Sequence, residues 1–550
     1  MKKINKDVKY LIMIWGLLIA ILIGTFAHHG NLIVDCGREA YYSLQVAQGK
    51  VLYKDIFNIY GPFSYMYNAL LFKIFGVNLN VLFLSGCISS FFITSLTYLI
   101  ARRFMDEFAS FSISAFAIMV GVLNTNIFNT VFPYSYGMLY GTVAVLASIW
   151  LILKYEESPE KNLYLYLSAF FAGLCVANKY EFLPYFLVIV YAAFKIKPLN
   201  FKQYVLTAGS LILAPAVCFA ILYLQGMRLQ DLITTGLIIN KMAHTHTLSY
   251  FYQHTGVFFH KKTLPFLTQK FFISAIPLFL LFFATKAKNK IASVILALIA
   301  VWLTFHNTDI GVFAFLPLLI SIWFVLNIKK IYGNTKLMIL TLSSILLCAK
   351  IYWALLVMSY GTYLVSLPLI TISALILDKF KDRKINPLII PSYLILIAIS
   401  LCFIFAHDLG KKSQYISTLR GKLYIEKSLI PSADKLIKYI QTNTKKTDTV
   451  MIFPEGQLIN FLTERKSDDV YGSLIPLYVE TFGEDKIIEH FKKTKPEYII
   501  FNNWNYHEYY YKYICNDYAQ TFCAFVAQNY TQEKVIDEGF RYLIFKLKNK

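Results

Sequence analysis

The sequence predicts an all-α polytopic membrane domain of about 13 transmembrane helices, followed by a small extracytoplasmic α/β domain at the C-terminus. Three observations predict it: a composition too apolar for a soluble protein, basic clusters that alternate with apolar runs, and a change of periodicity near residue 407. Of 550 residues, 57% are hydrophobic, 17% aromatic and 15% charged. A soluble domain carries about 25% charged residues. The mean hydropathy of +0.52 agrees. Such a chain cannot cover itself with polar surface, so lipid must solvate much of it.

A helix needs about 20 predominantly apolar residues to cross a bilayer. On that criterion the candidate spans centre near Leu18, Ile93, Ala115, Val145, Ala169, Val188, Leu213, Leu278, Leu296, Leu318, Leu342, Ile370 and Ile397. The first apolar run, 10–27, follows Lys2, Lys3, Lys6 and Lys9 in the manner of a signal peptide. It is long enough to span and has no convincing small-x-small cleavage site before His28, so it reads as a retained helix. Basic clusters separate alternate spans: the N-terminus, Arg102–Arg103, Lys154/Lys161, Lys195/Lys197/Lys202, Lys286/Lys288/Lys290, Lys329/Lys330/Lys336 and Lys379/Lys381/Arg383/Lys384. The opposite short loops, 124–136 and 306–309, contain no Lys or Arg. This alternation puts the N-terminus in the cytoplasm and the C-terminus outside, with an odd number of spans between. It also accounts for the net charge of +21. No basic stripe lies on an amphipathic element, so nucleic acid is excluded as a partner.

The membrane domain is assigned to residues 1–406, with long outside loops at 28–79 and 225–270, and the tail domain to 407–550. In the tail, 432–442 and 484–493 read as amphipathic helices. Residues 449–453 read as a buried strand ending in Pro454-Glu455-Gly456, and 498–501 and 541–548 as further strands. Alternating helices and strands predict an α/β domain. Cys87, Cys175, Cys218, Cys348 and Cys402 lie in apolar runs and read as small hydrophobes. Cys515 and Cys523 lie in the polar tail, either as a disulfide or as two thiols. No internal repeat is present, whereas many secondary transporters are built from inverted repeats.

The first outside loop holds the most specific pattern. It reads Asp35-Cys-Gly-Arg-Glu39, then Gly49 to Asp55, then Tyr60-Gly61-Pro62, and ends Phe75-Gly76. Two apolar segments, 39–48 and 64–75, are too short to span and suit the membrane interface. In order and spacing this loop resembles the first extracytoplasmic loop of the GT-C superfamily of membrane glycosyltransferases, in its protein O-mannosyltransferase and aminoarabinose-transferase-like branch. The matched parts are an acid just after the first helix, a G-x-x-Y-x-D-like turn, an aromatic-G-P step and a second interfacial helix ending in F-G. Weaker matches are Phe132-Pro-Tyr134-Ser135, the Lys-containing turn Asn178-Lys179-Tyr180-Glu181, and Thr362-Tyr363 to Pro368, which lacks the Arg of the R-Y-x-x-P pattern it resembles.

The resemblance implies a sugar donor carried on polyprenyl phosphate and an acceptor that is a lipid, a glycan or a protein. The acceptor hydroxyl loses a proton as it attacks the anomeric carbon, and a carboxylate within hydrogen-bond reach suits that step. Asp35 is the expected base, with Glu39 four residues on as its catalytic partner or as an acid that simply pairs with a basic neighbour. The departing phosphate requires cationic or N–H donors. Lys179, Arg38, Lys241 and Lys350 are the candidates for it. Asp55, Tyr60, Tyr134, Glu181, Asp309 and Tyr363 are assigned to positioning substrate. Asp55 reads equally as a turn cap, Lys179 as a snorkelling lysine and Asp309 as a helix cap.

No cofactor is expected. His244, His246, His254 and His260 in the second loop include a His-x-His pair, but no carboxylate or Cys pair completes a metal site. Metal-dependent oligosaccharyltransferase relatives place acids in this loop and in the 124–136 loop, both of which lack them at the corresponding points. The expected activity is a glycosyltransferase of a bacterial inner membrane, acting on its outer face. A transporter or flippase of lipid-linked sugars explains the spans, but neither the interfacial segments nor the large tail. A polysaccharide polymerase or ligase would carry its large outside loop late in the chain.

Overall fold

The computed structural model describes residues 6–255, 263–307, 316–349, 360–379, 386, 388–468 and 470–548. It opens with helix α1 (Lys6–Thr25). The first loop then folds into α2 (Cys36–Ala47) and α3 (Phe63–Phe75), of 12 and 13 residues. Both are too short to cross a bilayer, as predicted. The bundle continues with α4 (Leu79–Ala101), α5 (Glu107–Ile118), α6 (Tyr136–Glu157), α7 (Asn162–Asn178), α8 (Phe186–Lys195) and α9 (Phe201–Leu224). The second long loop holds α10 (Leu229–Ala243) and α11 (His246–Thr255). Next come α12 (Thr263–Lys286), α13 (Lys290–Asn307), α14 (Leu316–Leu326), α15 (Ile328–Tyr332), α16 (Thr335–Cys348), α17 (Ser366–Lys379) and α18 (Ile389–Lys411).

Every predicted span centre falls on one of these helices. On length alone, the expected count of about 13 spans is not confirmed. Among the described residues six helices are long and apolar enough to cross a membrane: α1, α4, α6, α9, α13 and α18. Apart from α12, with 24 residues, the other helices of the bundle are shorter, and breaks in the backbone account for two of them. α5 runs on as a π-helical turn over Met119–Leu123. A 3-10 turn containing Pro184 separates α7 from α8, because proline lacks the N–H that would continue the helix. Hydropathy counts apolar runs and cannot see such breaks.

The charged loops meet at one end of the bundle. Arg102 pairs with Asp7 at 2.6 Å and with Glu107 at 3.2 Å, Arg103 with Glu157 at 2.6 Å, and Lys336 with Glu157 at 3.3 Å. Pairs this exposed stabilise little. Their value is topological, since they join segments that the charge alternation assigned to one side.

At the other end stand the first loop and the tail. The tail begins with a hairpin of β1 (Gln414–Thr418) and β2 (Gly421–Ile425). It continues through α19 (Ile430–Asn443), β3 (Val450–Phe453), α20 (Gln457–Thr463), α21 (Pro476–Phe482), α22 (Glu484–Thr494), β4 (Tyr498–Asn502), α23 (Gln520–Asn529), β5 (Tyr530–Asp537) and β6 (Arg541–Leu547). The main sheet has the order β3-β4-β6-β5, with β3 and β4 parallel and the remaining pairs antiparallel. Every residue of β3 and β4 is buried, which is why both read as unbroken apolar runs. Cys515 and Cys523 form a disulfide with Cα atoms 5.5 Å apart.

Lys412, at the end of α18, fastens the two parts. Its ammonium donates to the carbonyls of His28 at 3.0 Å, Gly30 at 2.7 Å and Thr125 at 2.7 Å. The residue is 8% exposed. Beside it the His28 ring stacks on Tyr424 of β2 at 3.8 Å. Lys412→Met keeps the stem but leaves carbonyls of two loops without their donor. Each buried group orphaned in this way costs about 1–3 kcal/mol, so thermal unfolding in detergent is expected several degrees below wild type. An unchanged midpoint would show that water replaces the ammonium.

Candidate active site

The start of α2 gathers the loop's charges. Asp35 occupies the N-cap position with φ 56° and ψ −55° and makes no side-chain capping bond. A non-glycine residue in such a sparsely populated region costs about 1–3 kcal/mol, and such residues concentrate at functional sites. Arg38, one turn on, donates from Nη1 to Asp35 at 3.1 Å, from Nε to Glu39 at 3.3 Å and from Nη2 to the Tyr134 carbonyl at 2.9 Å. Asp35 and Glu39 therefore share one guanidinium, as their i, i+4 spacing allows.

Glu39 is fully buried. Its carboxylate accepts from the Tyr65 hydroxyl at 2.8 Å and from the Tyr136 N–H at 2.7 Å. The second bond places a negative charge at the N-terminus of α6, where the helix dipole favours it. Burial pushes the Glu39 carboxyl up, and Arg38, Tyr136 and Tyr65 oppose that shift. Glu39 thus ties α2, α3 and α6 together beneath Asp35.

Lys179 closes the far side. Its side chain is 2% exposed. It donates to the Tyr134 hydroxyl at 2.9 Å and pairs with Glu181 at 3.5 Å. The ammonium lies 4.6 Å from the Tyr60 ring centre and 4.9 Å from that of Tyr134, close enough for cation–π attraction. Burial lowers its proton affinity, and Glu181 opposes that. The Arg38 guanidinium faces the same Tyr60 ring at 5.2 Å. Gly61 makes this approach feasible: a Cβ there would stand 2.2 Å from the Ala177 carbonyl oxygen. The Tyr60-Gly61-Pro62 step therefore lies directly on the end of α7 that carries Lys179. Tyr363 completes the wall, its ring 6.0 Å from that of Tyr134. The Tyr363 hydroxyl is buried with no hydrogen-bond partner among the described residues, a state that a bound ligand would relieve.

The other candidates fall elsewhere. Asp55 accepts from the Val51 N–H at 2.9 Å and closes its own turn. Lys241 is exposed on α10 and makes none of these contacts. Asp309, Lys350 and His260 lie outside the described residues. His244 meets the Asn240 carbonyl at 2.7 Å, and the His246 ring packs edge-on against Tyr510 at 5.2 Å. Among the described residues no group of three His, Cys, Asp or Glu side chains is arranged to hold a metal.

Sequence reasoning missed the tail's contribution. Glu455 follows β3, and its carboxylate accepts from the Tyr506 hydroxyl at 2.7 Å within electrostatic reach of Asp35 and Arg38. The one available signal was an acid set between Pro454 and Gly456 just past a buried strand. An apolar groove of about 520 Å3 also opens close by, lined by Phe63, Tyr67, Leu84, Ile88, Tyr140 and Phe171. It begins within one turn of Tyr65 and Tyr136, the two partners of Glu39.

No family model matches the sequence, and no curated protein matches it. Solved structures do. The chain is similar to the aminoarabinose transferase ArnT from Cupriavidus metallidurans bound to undecaprenyl phosphate, with a TM-score of 0.51 and 10% identity over 98% of both chains. It is similar also to the Archaeoglobus fulgidus oligosaccharyltransferase in the apo form, with a TM-score of 0.51 and 12% identity over 90% of this chain and 69% of that one. What is shared at such identities is architecture, and the chain has the fold of the GT-C membrane glycosyltransferases.

Proposed function

We propose that this protein transfers one sugar from a polyprenyl-phosphate carrier to a lipid, glycan or protein acceptor on the extracytoplasmic face of a bacterial inner membrane. The observation that carries this reading is Asp35, on a strained backbone and paired with Arg38, which shares the Tyr60 ring with Lys179, beside a tyrosine hydroxyl, that of Tyr363, with no partner among the described residues. The acceptor oxygen attacks the anomeric carbon and gives its proton to Asp35. The bond from that carbon to the phosphate oxygen breaks, and polyprenyl phosphate leaves with the electron pair. Lys179 and Arg38 meet the charge that develops on it. Tyr60, Tyr134 and Tyr363 line the space between and suit the faces of a sugar ring. The apolar groove supports the same reading, because it suits a prenyl chain and is lined by residues of α3 and α6, the helices that Glu39 holds through Tyr65 and Tyr136. The aminoarabinose transferase that shares the fold is itself bound to undecaprenyl phosphate.

Proteoliposomes supplied with radiolabelled polyprenyl-phosphate sugars test the proposal. Label is expected to leave the donor with stoichiometric release of polyprenyl phosphate, while nucleotide sugars give no product. Movement of the intact lipid-linked sugar across the vesicle without its cleavage would replace this reading with that of a transporter.

A further inference from the structure

Sequence assigns the tail domain no more than shielding or selecting an acceptor, yet its docking reaches the charged cluster itself. α20 lies directly on α2. A Cβ on Gly37 would stand 2.4 Å from the backbone nitrogen of Leu458, so a side chain at that position is incompatible with the contact. Nearby, the Ser467 N–H donates to the Tyr41 hydroxyl at 2.6 Å. The parallel strands β3 and β4 both run toward this junction. The carboxyl ends of parallel strands are where open α/β sheets gather functional groups. Here β3 leads into Glu455 and β4 into Tyr506. Asn502, the last residue of β4, donates to the Glu455 carbonyl at 2.7 Å and fixes the turn.

The Glu455 carboxyl accepts from the Tyr506 hydroxyl at 2.7 Å and feels the charges of Asp35 and of the Arg38 that Asp35 already occupies at 3.1 Å. The other titratable groups facing it are Tyr478 from α21 and Tyr518 near the disulfide, while Glu508 faces Asp35. Among these groups Arg38 is the sole cation, and two carboxyls in its reach compete for it. Asp35 holds the direct ion pair, and Glu455 holds a hydrogen bond from Tyr506 that a neutral carboxyl also accepts. Two acids whose surroundings differ in this way divide the roles of base and proton carrier.

We propose that Glu455 is a positioning acid of the transfer site. From the turn after β3 the tail presents it at the start of α2, where α20 packs on Gly37, and so holds Asp35 and Arg38 in the catalytic arrangement. This rests on the reading of Asp35 as the base. Burial, with the charge of Asp35 next, pushes the Glu455 carboxyl up to about 8. Ionisation above that pH sets a second anion beside Asp35 and weakens the docking of the tail.

Two readouts on the full-length protein in liposomes test this. With a polyprenyl-phosphate sugar donor, the wild-type transfer rate is expected to fall tenfold per pH unit above about pH 8. Glu455→Gln is a fixed stand-in for the protonated carboxyl. It is expected to move that alkaline limb up by a pH unit or more, with a reduced maximal rate. Glu455→Asp, one methylene shorter, is expected to move it as well. An alkaline limb identical in wild type and both variants overturns the proposal while leaving the transferase reading intact. The second readout needs no activity. An acid whose folded-state value is raised contributes stability that is fully present below about 4.5 and lost as pH rises through about 8. The wild-type unfolding temperature is therefore expected to drop between pH 6 and pH 9 by more than that of Glu455→Gln. Parallel curves overturn the proposal even if no donor is ever cleaved, and absence of cleavage by wild type with diverging curves sinks only the transferase reading.

Discussion

Asp35→Asn is expected to lower sugar transfer by about 10²–10⁴-fold, the range that a positioned general base contributes, without unfolding the protein. Asparagine has the same shape and keeps a hydrogen-bond acceptor for Arg38. It is also among the few non-glycine residues that tolerate positive φ, so the backbone at φ 56° is retained. What disappears is the negative charge that takes the acceptor's proton. The ion pair lost with it is partly exposed, at 25% for the Asp35 side chain, and so adds little stability. Initial rates at saturating donor, measured beside thermal unfolding, separate the two effects. The signature is a fall in kcat with an unchanged KM for donor and an unchanged unfolding midpoint. Transfer within threefold of wild type would remove Asp35 from the role of base.

Lys179→Met is expected to reduce kcat/KM for the lipid-linked donor by about 10²–10³-fold, the scale seen when one preorganised donor to a developing oxyanion is removed. Methionine fills the slot between the Tyr60 and Tyr134 rings, so packing survives. Glu181, whose side chain is 35% exposed, stays hydrated when its partner is lost, and no buried charge is stranded. Lys179→Arg is not expected to rescue, because a planar guanidinium is bulkier than an ammonium and differently directed. Binding of free polyprenyl phosphate, followed as a rise in unfolding temperature, supplies the check. Wild-type protein is expected to be stabilised by it, and the Met variant far less. Equal stabilisation of both would assign Lys179 to structure alone.

How much of this was readable in the sequence follows from how local each signal is. The helices α2 and α3 lie almost where short apolar segments flanked by glycine and proline predicted them. β3, β4 and β6 announced themselves as apolar or alternating runs between turn residues. Asp35, Arg38 and Glu39 are near neighbours in sequence, so their convergence needs only one turn of helix. Lys179 and Tyr134 stood out because each sits in a turn at the mouth of a span. Glu455 and Tyr506 gave no such signal. They join the site through the packing of α20 on α2, a contact between parts of the chain hundreds of residues apart, and periodicity carries no information about such pairs. Strands β1 and β5 escaped for a different reason: both are largely exposed, so neither imposes an apolar pattern. Length does not confirm the span count, because breaks at the π-turn and at Pro184 are backbone events inside sequences that remain apolar.

The docking of the tail on α2 also sets an order of events in the cell. Ser467 and Tyr41 are 426 positions apart. At about 5–20 residues per second, the ribosome needs roughly 20–85 seconds to reach the second after making the first. Throughout that interval the first loop has Asp35 and Arg38 but lacks Glu455. The site is thus a partial one until the last quarter of the chain has been made and has docked on α2. A chain truncated anywhere in the tail would reach the membrane, insert and fold its bundle, yet remain silent.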